Sequence, residues 1–196
     1  AASLFGGILA GQLDPAVGGF DPGVAAVHVT AAFSALYVAH VTDGYVDFYV
    51  REEDDDLPLT ERGCRLARAG ASVAFFACLL ALAVLVDPWA AVLTLPGWLI
   101  GVNHAPVLDT NPVTATAGYP TGIAFALAGG YYVQATALSP TVLALAGVFL
   151  VVLSGIKVID DATDYEYDRS IEKRTAAVAL GPETAYRAAY ALMATG

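Results

Sequence analysis

Long apolar runs separated by short polar connections make up most of the chain. Five runs approach or reach the roughly 20 residues that a helix needs to cross the hydrocarbon of a bilayer. They lie at 24–42, 70–86, 89–103, 113–135 and 139–159. Residues 1–13 look like the end of an earlier span, and residues 176–196 look like the start of a later one. The pattern predicts an all-α integral membrane protein, a multi-span helical bundle, in which residues 1–196 form one transmembrane domain incomplete at both ends.

The composition strengthens the membrane assignment and removes one class of partner. Of the 196 residues, 57% are hydrophobic and 14% are charged, whereas soluble domains contain about 25% charged residues. The 19 acidic residues outnumber the 9 Lys and Arg residues, which gives a formal net charge of −10. Because nucleic acid is bound through basic surfaces, it is excluded as a main partner. The lipid bilayer is the expected surrounding.

The distribution of the basic residues predicts an orientation. All 9 lie in two segments, 51–68 and 157–187, which are separated by four of the apolar runs. Lys and Arg collect on the cytoplasmic side of membrane proteins, and an even number of spans returns the chain to the same face. We therefore expect a multi-pass protein of the cell membrane with both basic segments on the cytoplasmic side. The same parity places the connection 104–112 there.

Two acidic segments lie next to apolar runs at this face. Asp43, Asp47 and Arg51 follow one another at intervals of four residues in the first segment. In the second segment three aspartates are spaced by three and four residues, so each set is expected to share one helical face. Clustered carboxylates at a membrane mouth are costly, and Mg²⁺, which binds carboxylates together with substrate phosphates, offsets the cost. The predicted Mg²⁺ ligands are Asp43, Asp47, Asp161, Asp164 and Asp168.

Cationic side chains lie close to both acidic segments. Positive side chains bind phosphate oxygens through charge-assisted hydrogen bonds. The candidate diphosphate-binding residues are Arg51, Lys157, Lys173 and Arg174.

The second acidic segment resembles a motif of a known family. The spacing of Asp161, Asp164 and Asp168, followed by K-R-T-A-A-V-A-L-G at 173–181, is similar to the second Asp-rich motif of the UbiA-type intramembrane prenyltransferases. The first segment, with L-P-L-T at 57–60 after it, resembles their first motif. In that all-helical family the motifs follow the second and sixth of nine spans. The resemblance therefore implies that this chain covers about spans one to seven.

The first segment departs from the family pattern N-D-x-x-D-x-x-x-D. When it is aligned on Pro58, Asp47 falls on the second Asp of the pattern, whereas Gly44 and Arg51 fall on the first and the third. Asp43 takes the place of the Asn. The acidic residues that follow are expected to form a solvated loop: Glu52, Glu53 and Asp54.

The resemblance implies an activity and roles for these residues. The activity is Mg²⁺-dependent transfer of an isoprenyl group from a prenyl diphosphate to a lipophilic acceptor. The expected catalytic residues are Asp164, Asp168 and Arg51, and the expected acceptor-binding residues are His104, Asp109 and Asn111. The alternative is a non-catalytic UbiA-like membrane protein that binds an isoprenoid lipid or a divalent cation.

Overall fold

The structure of the protein, a computed structural model, describes residues 1–14, 17–53, 56–170 and 173–196. Within them, every regular element is helical, as predicted. The helices are α1 (Ala2–Leu13), α2 (Pro22–Tyr45), α3 (Glu61–Leu85), α4 (Pro88–Asn103), α5 (Pro112–Ala135), α6 (Pro140–Thr163), α7 (Tyr165–Ser170), α8 (Ala176–Leu180) and α9 (Pro182–Thr195). A π-helical turn, Val46–Val50, continues α2, and a 3₁₀ turn, Leu108–Thr110, precedes α5.

Capping residues fix where the long helices begin. A side-chain oxygen directly before the helix accepts a hydrogen bond from a backbone N–H of the first turn, and proline follows it at the first helical position. This arrangement starts α2, α4, α5 and α6, with the caps Asp21, Asp87, Asn111 and Ser139. The prolines Pro96 and Pro120 lie inside α4 and α5, where neighbouring helices in a membrane bundle tolerate them.

Helices α2 to α6 run alternately up and down. Near the end of α5, Gln134 bonds the backbone of Asp21 in front of α2 at 2.8 and 3.1 Å, and Tyr132 donates to Asp87 in front of α4 at 2.9 Å. These contacts define one end of the bundle. The end of α2, the α4–α5 connection and the end of α6 consequently meet at the opposite end, and the candidate site lies there.

Among the residues that the structure describes, three helices are long and apolar enough to cross a membrane: Pro22–Val50, Glu61–Leu85 and Pro140–Thr163. On Glu61–Leu85, Phe75 is buried in the core, whereas Val73 and Val84 are 71% and 76% exposed on its outer side. A helix that is apolar on both its inner and outer sides is typical of a membrane span. The remaining predicted spans form α4, which is shorter, and α5, which is less apolar.

Several helices extend beyond the apolar runs at the site end. The run at 24–42 continues as helix and π turn to Val50, α3 already begins at Glu61, and α6 continues to Thr163. Hydropathy marks only the part of a helix inside the hydrocarbon, whereas the backbone hydrogen bonds continue into the polar interface. Asp43, Asp47 and Asp161 therefore lie on helical extensions, whereas Asp164 lies where α6 ends.

Candidate active site

Arg51 lies at the centre of the first acidic segment. Its Nη1 is 3.2 Å from Oδ1 of Asp47 and 3.1 Å from Oδ2 of Asp109, and its Nη2 donates to the carbonyl of Ala105 at 2.7 Å. Its Nε is 3.9 Å from Oε1 of Glu53. The π-helical turn before it places Arg51 one turn beyond Asp47. One guanidinium thus joins the end of α2 to the α4–α5 connection.

Lys173 connects this cluster to the second acidic segment. Its Nζ is 3.9 Å from Oε2 of Glu53, and its backbone N–H donates to the carbonyl of Asp168 at 2.9 Å. Burial lowers the pKa of the Lys173 ammonium, but four nearby carboxylates more than reverse this effect and leave the pKa raised. They belong to Asp109, Glu53, Asp168 and Asp47. Residues from both acidic segments therefore surround one cation.

The aspartates of the second segment differ in their surroundings. Asp161 and Asp168 are buried, whereas Asp164 is exposed at the point where α6 ends. The expectation of one helical face is wrong for Asp164, because its backbone leaves the helical conformation between α6 and α7. Lys157 donates to Oδ1 of Asp161, and Oδ2 of Asp161 is buried without a hydrogen-bond partner among the described residues.

Asp168 is tied to the segment that follows it. The hydroxyl of Thr175 hydrogen-bonds its carboxylate and also accepts from the backbone of Val178 at 3.3 Å. Burial raises the pKa of Asp168, and the charge of Asp161 raises it further against the opposing effect of Lys173. The carboxylate of Asp168 is thus held in a buried position, where the ammonium of Lys173 stabilises its negative charge.

An apolar cavity of about 470 Å³ leads away from these charges between α2, α4 and α5. Asp43, His104 and Lys157 line its polar end, and Ser3 and His28 line its far end. His28 and Asp43 are fifteen residues apart on α2, which corresponds to about 22 Å at 1.5 Å per residue. The cavity is thus long, narrow and apolar, with charge at one end.

A second, polar pocket of about 480 Å³ opens beside the cavity. It is lined by the Arg51 cluster together with further polar side chains from the connection and from the segment before α8: Arg51, Glu52, Glu53, Asp109, Thr110, Lys173 and Arg174. Of the predicted diphosphate-binding residues, this pocket contains Arg51, Lys173 and Arg174, whereas Lys157 lies at the mouth of the apolar cavity.

The residues predicted to bind the acceptor occupy three different environments. Asp109 is 11% exposed and paired with Arg51. Asn111 caps α5 by accepting from the backbone of Val113 at 2.9 Å. The Nδ1 atom of His104 is buried without a hydrogen-bond partner among the described residues, and the ring lines the apolar cavity. Acceptor contacts of these three residues stay predictions.

The second acidic segment fits a Mg²⁺ ion that binds together with substrate, rather than a preformed metal centre. Within the described ranges, no three His, Cys, Asp or Glu side chains converge closely enough to hold a metal by themselves. Mg²⁺, however, often binds through one or two carboxylates and completes its shell with water and substrate phosphates. The buried, unpartnered oxygen of Asp161 is a free ligand of the required kind.

Sequence reasoning missed two residues of the site. Glu53, expected in a solvated loop, is 12% exposed and lies between Arg51 and Lys173. Thr175 appears in the sequence as one letter of a motif, and only its capping position before a helical run pointed to a role. Asp54 lies outside the described residues.

Residues 4–196 match the UbiA prenyltransferase family. The chain belongs to this family. No curated protein matches the sequence.

Two solved structures of UbiA homologues have a similar fold. One, from Archaeoglobus fulgidus and bound to GPP and Mg²⁺, superposes with a TM-score of 0.79 at 16% sequence identity over 99% of this chain and 70% of that chain. The other, an apo structure from Aeropyrum pernix K1, gives a TM-score of 0.75 at 17% identity over 98% of this chain and 74% of that chain. At such identities the likeness establishes the UbiA fold.

Proposed function

We propose that this UbiA-family membrane protein transfers an isoprenyl group from a prenyl diphosphate to a lipophilic acceptor, with Mg²⁺ as cofactor. One observation carries the proposal: a long apolar cavity ends beside a cluster of buried carboxylates and cations. A prenyl diphosphate has the same division into an apolar chain and a charged head. The GPP and Mg²⁺ bound to the homologue from Archaeoglobus fulgidus are consistent with such a ligand.

The proposed roles follow the two ends of the cavity. The walls formed by α2, α4 and α5 bind the isoprenyl chain and exclude water from it. Lys173 and Arg174, with Lys157 at the cavity mouth, bind the diphosphate oxygens. Asp161, Asp164 and Asp168 would hold Mg²⁺, which would supply positive charge to the leaving diphosphate.

The reaction breaks the bond between the first carbon of the isoprenyl chain and the diphosphate oxygen, and the electron pair leaves with the diphosphate. A carbon or heteroatom of the acceptor forms the new bond to this carbon and loses a proton. The ring of His104 lines the cavity end nearest the charges, and we assign it the hydrogen bond or proton from the acceptor. We place this end of the bundle on the cytoplasmic side, because all 9 Lys and Arg residues lie in the segments predicted there.

The activity is tested on the purified protein in lipid nanodiscs. Radiolabelled geranyl, farnesyl and geranylgeranyl diphosphates are incubated with a membrane lipid extract, with Mg²⁺ or with EDTA, and the products are separated by chromatography. We expect a labelled lipid product with Mg²⁺ and none with EDTA. Prenyl diphosphate binding without any product would instead support the non-catalytic alternative.

Substitutions locate the activity in the second acidic segment. We expect Asp168→Ala and Asp164→Ala each to lower the rate of product formation at least about 100-fold, since loss of a hydrogen-bond partner of a metal ligand already costs about 10–100-fold. Asp43→Ala should cost less. Glu183→Gln, at a side chain that is 91% exposed on α9, is the matched control and should leave the rate unchanged. Equal activity of all four variants would contradict the assignment.

A further inference from the structure

The first acidic segment already contains a cation of its own. Three carboxylates from different parts of the chain surround the guanidinium of Arg51, at 3.2 Å for Asp47, 3.1 Å for Asp109 and 3.9 Å for Glu53. The side chains of these three acids are 20%, 11% and 12% exposed. Such carboxylates repel one another strongly unless a positive charge lies between them.

The guanidinium meets this requirement through fixed geometry. It is permanently protonated and offers five donors in a planar fork, and hydrogen bonds to Asp47, Asp109 and the Ala105 carbonyl join the end of α2 to the α4–α5 connection. A divalent ion would contact the same carboxylates, but it leaves with a chelator. The charge of Arg51 cannot be removed in that way.

The second acidic segment also pairs a carboxylate with a cation, but the pairing leaves one carboxylate oxygen unused. Lys157 donates to one oxygen of Asp161, while the other oxygen is buried without a partner in the described part of the chain. Asp47, by contrast, gives its carboxylate to Arg51. Among the described residues, only the second segment therefore presents a buried carboxylate oxygen that still lacks a partner.

We propose that Arg51 is a built-in cation that replaces a divalent metal ion at the first acidic segment, so that Mg²⁺ binds only at the second. This assignment rests on the proposed Mg²⁺ site at Asp161, Asp164 and Asp168. It replaces the sequence-based prediction that Asp43 and Asp47 are metal ligands. It also makes the Arg51 cluster independent of the metal supply.

The test counts metal ions on the purified protein in detergent, without prenyl diphosphate. Mn²⁺ serves as a spectroscopic substitute for Mg²⁺, and free Mn²⁺ is titrated by electron paramagnetic resonance. Arg51→Asp should bind about one more Mn²⁺ ion than the wild type, because four carboxylates then surround an oxygen-lined site. Arg65→Met removes a surface ion pair with Glu61 and should leave the count unchanged.

Two further variants keep the test decisive if Arg51→Asp does not fold. Arg51→Met lacks the cation of this cluster, so Mg²⁺ should raise its melting temperature more than it raises that of the wild type. Asp47→Asn should bind the same number of Mn²⁺ ions as the wild type. A lost Mn²⁺ ion in Asp47→Asn, or equal counts in the wild type and both Arg51 variants, would overturn the proposal. Because the count needs no substrate, it is independent of whether prenyl transfer is observed.

Discussion

At the scale of single residues, the site depends on how Asp168 is held. Its carboxylate is buried, receives the hydroxyl of Thr175 and faces the ammonium of Lys173. Thr175 itself is 1% exposed and caps α8. One hydroxyl thus orients a candidate metal ligand and starts the helix that follows it.

Removal of the Thr175 hydroxyl should affect both the start of α8 and the orientation of Asp168. Thr175→Val loses a helix cap, which costs about 1 kcal/mol, and leaves Asp168 without one hydrogen bond. We expect a fall in melting temperature of about 2–4 °C and weaker Mn²⁺ binding at the second segment. Thr175→Ser keeps the hydroxyl and should behave like the wild type. A valine variant with unchanged melting temperature and Mn²⁺ affinity would show that Thr175 is passive.

The residue roles were only partly predictable from sequence. The i, i+4 spacing of Asp47 and Arg51 predicted a shared helical face, and their side chains lie 3.2 Å apart. The partnership of Arg51 with Asp109 was not foreseeable, because it joins residues separated by 58 positions and no periodicity encodes such a distance. The exposure of Asp164 depends on where α6 stops, and an aspartate-rich segment carries no sharp helix-stop signal.

At the scale of helices, small residues determine how closely α1 lies on α5. A Cβ at Gly130 would lie 2.0 Å from the carbonyl oxygen of Ser3, and one at Gly6 would lie 2.1 Å from that of Leu127. Such backbone contact is a known use of small residues in membrane helices. The apolar pattern predicted the helices themselves, whereas the partner of each small face became apparent only in the fold.

Alanine substitutions on two helices should therefore have opposite effects. Gly130→Ala forces α1 away from α5 and should lower the melting temperature. Gly147→Ala, on α6, meets no atom within 4 Å and should raise or preserve it, because alanine is favoured over glycine in helices by about 1 kcal/mol. Thermal melting of both variants in the same detergent provides the comparison. A shift of the same sign and size in both would contradict the close packing of α1.

At the scale of the whole molecule, the bundle contains an apolar cavity that runs from the charged end toward His28. On α5, Gly118 faces His104 near the polar end and Gly129 faces His28 at the far end. Gly122 lies between them and lines the cavity. The volume and ending of this cavity depend on helix packing, so neither could be read from hydropathy.

A bulky side chain at the middle of the cavity should limit the length of the isoprenyl chain that the cavity accepts. We expect Gly122→Phe to weaken the binding of geranylgeranyl diphosphate at least about tenfold, or 1.4 kcal/mol, with a smaller effect on geranyl diphosphate. Gly147→Phe, on α6 and outside the cavity lining, is the control. Competition binding of both donors to each variant checks the prediction, and an equal loss for both donors would place the isoprenyl chain elsewhere.

The most direct measurement is a crystal structure of the protein in lipid with Mg²⁺ and a non-hydrolysable prenyl thiolodiphosphate. We expect the diphosphate beside Lys173 and Asp168, with Mg²⁺ on the second acidic segment and the isoprenyl chain between α2, α4 and α5 pointing toward His28. A chain bound on the outer surface of the bundle, or a diphosphate at the end marked by Asp21 and Asp87, would contradict this expectation.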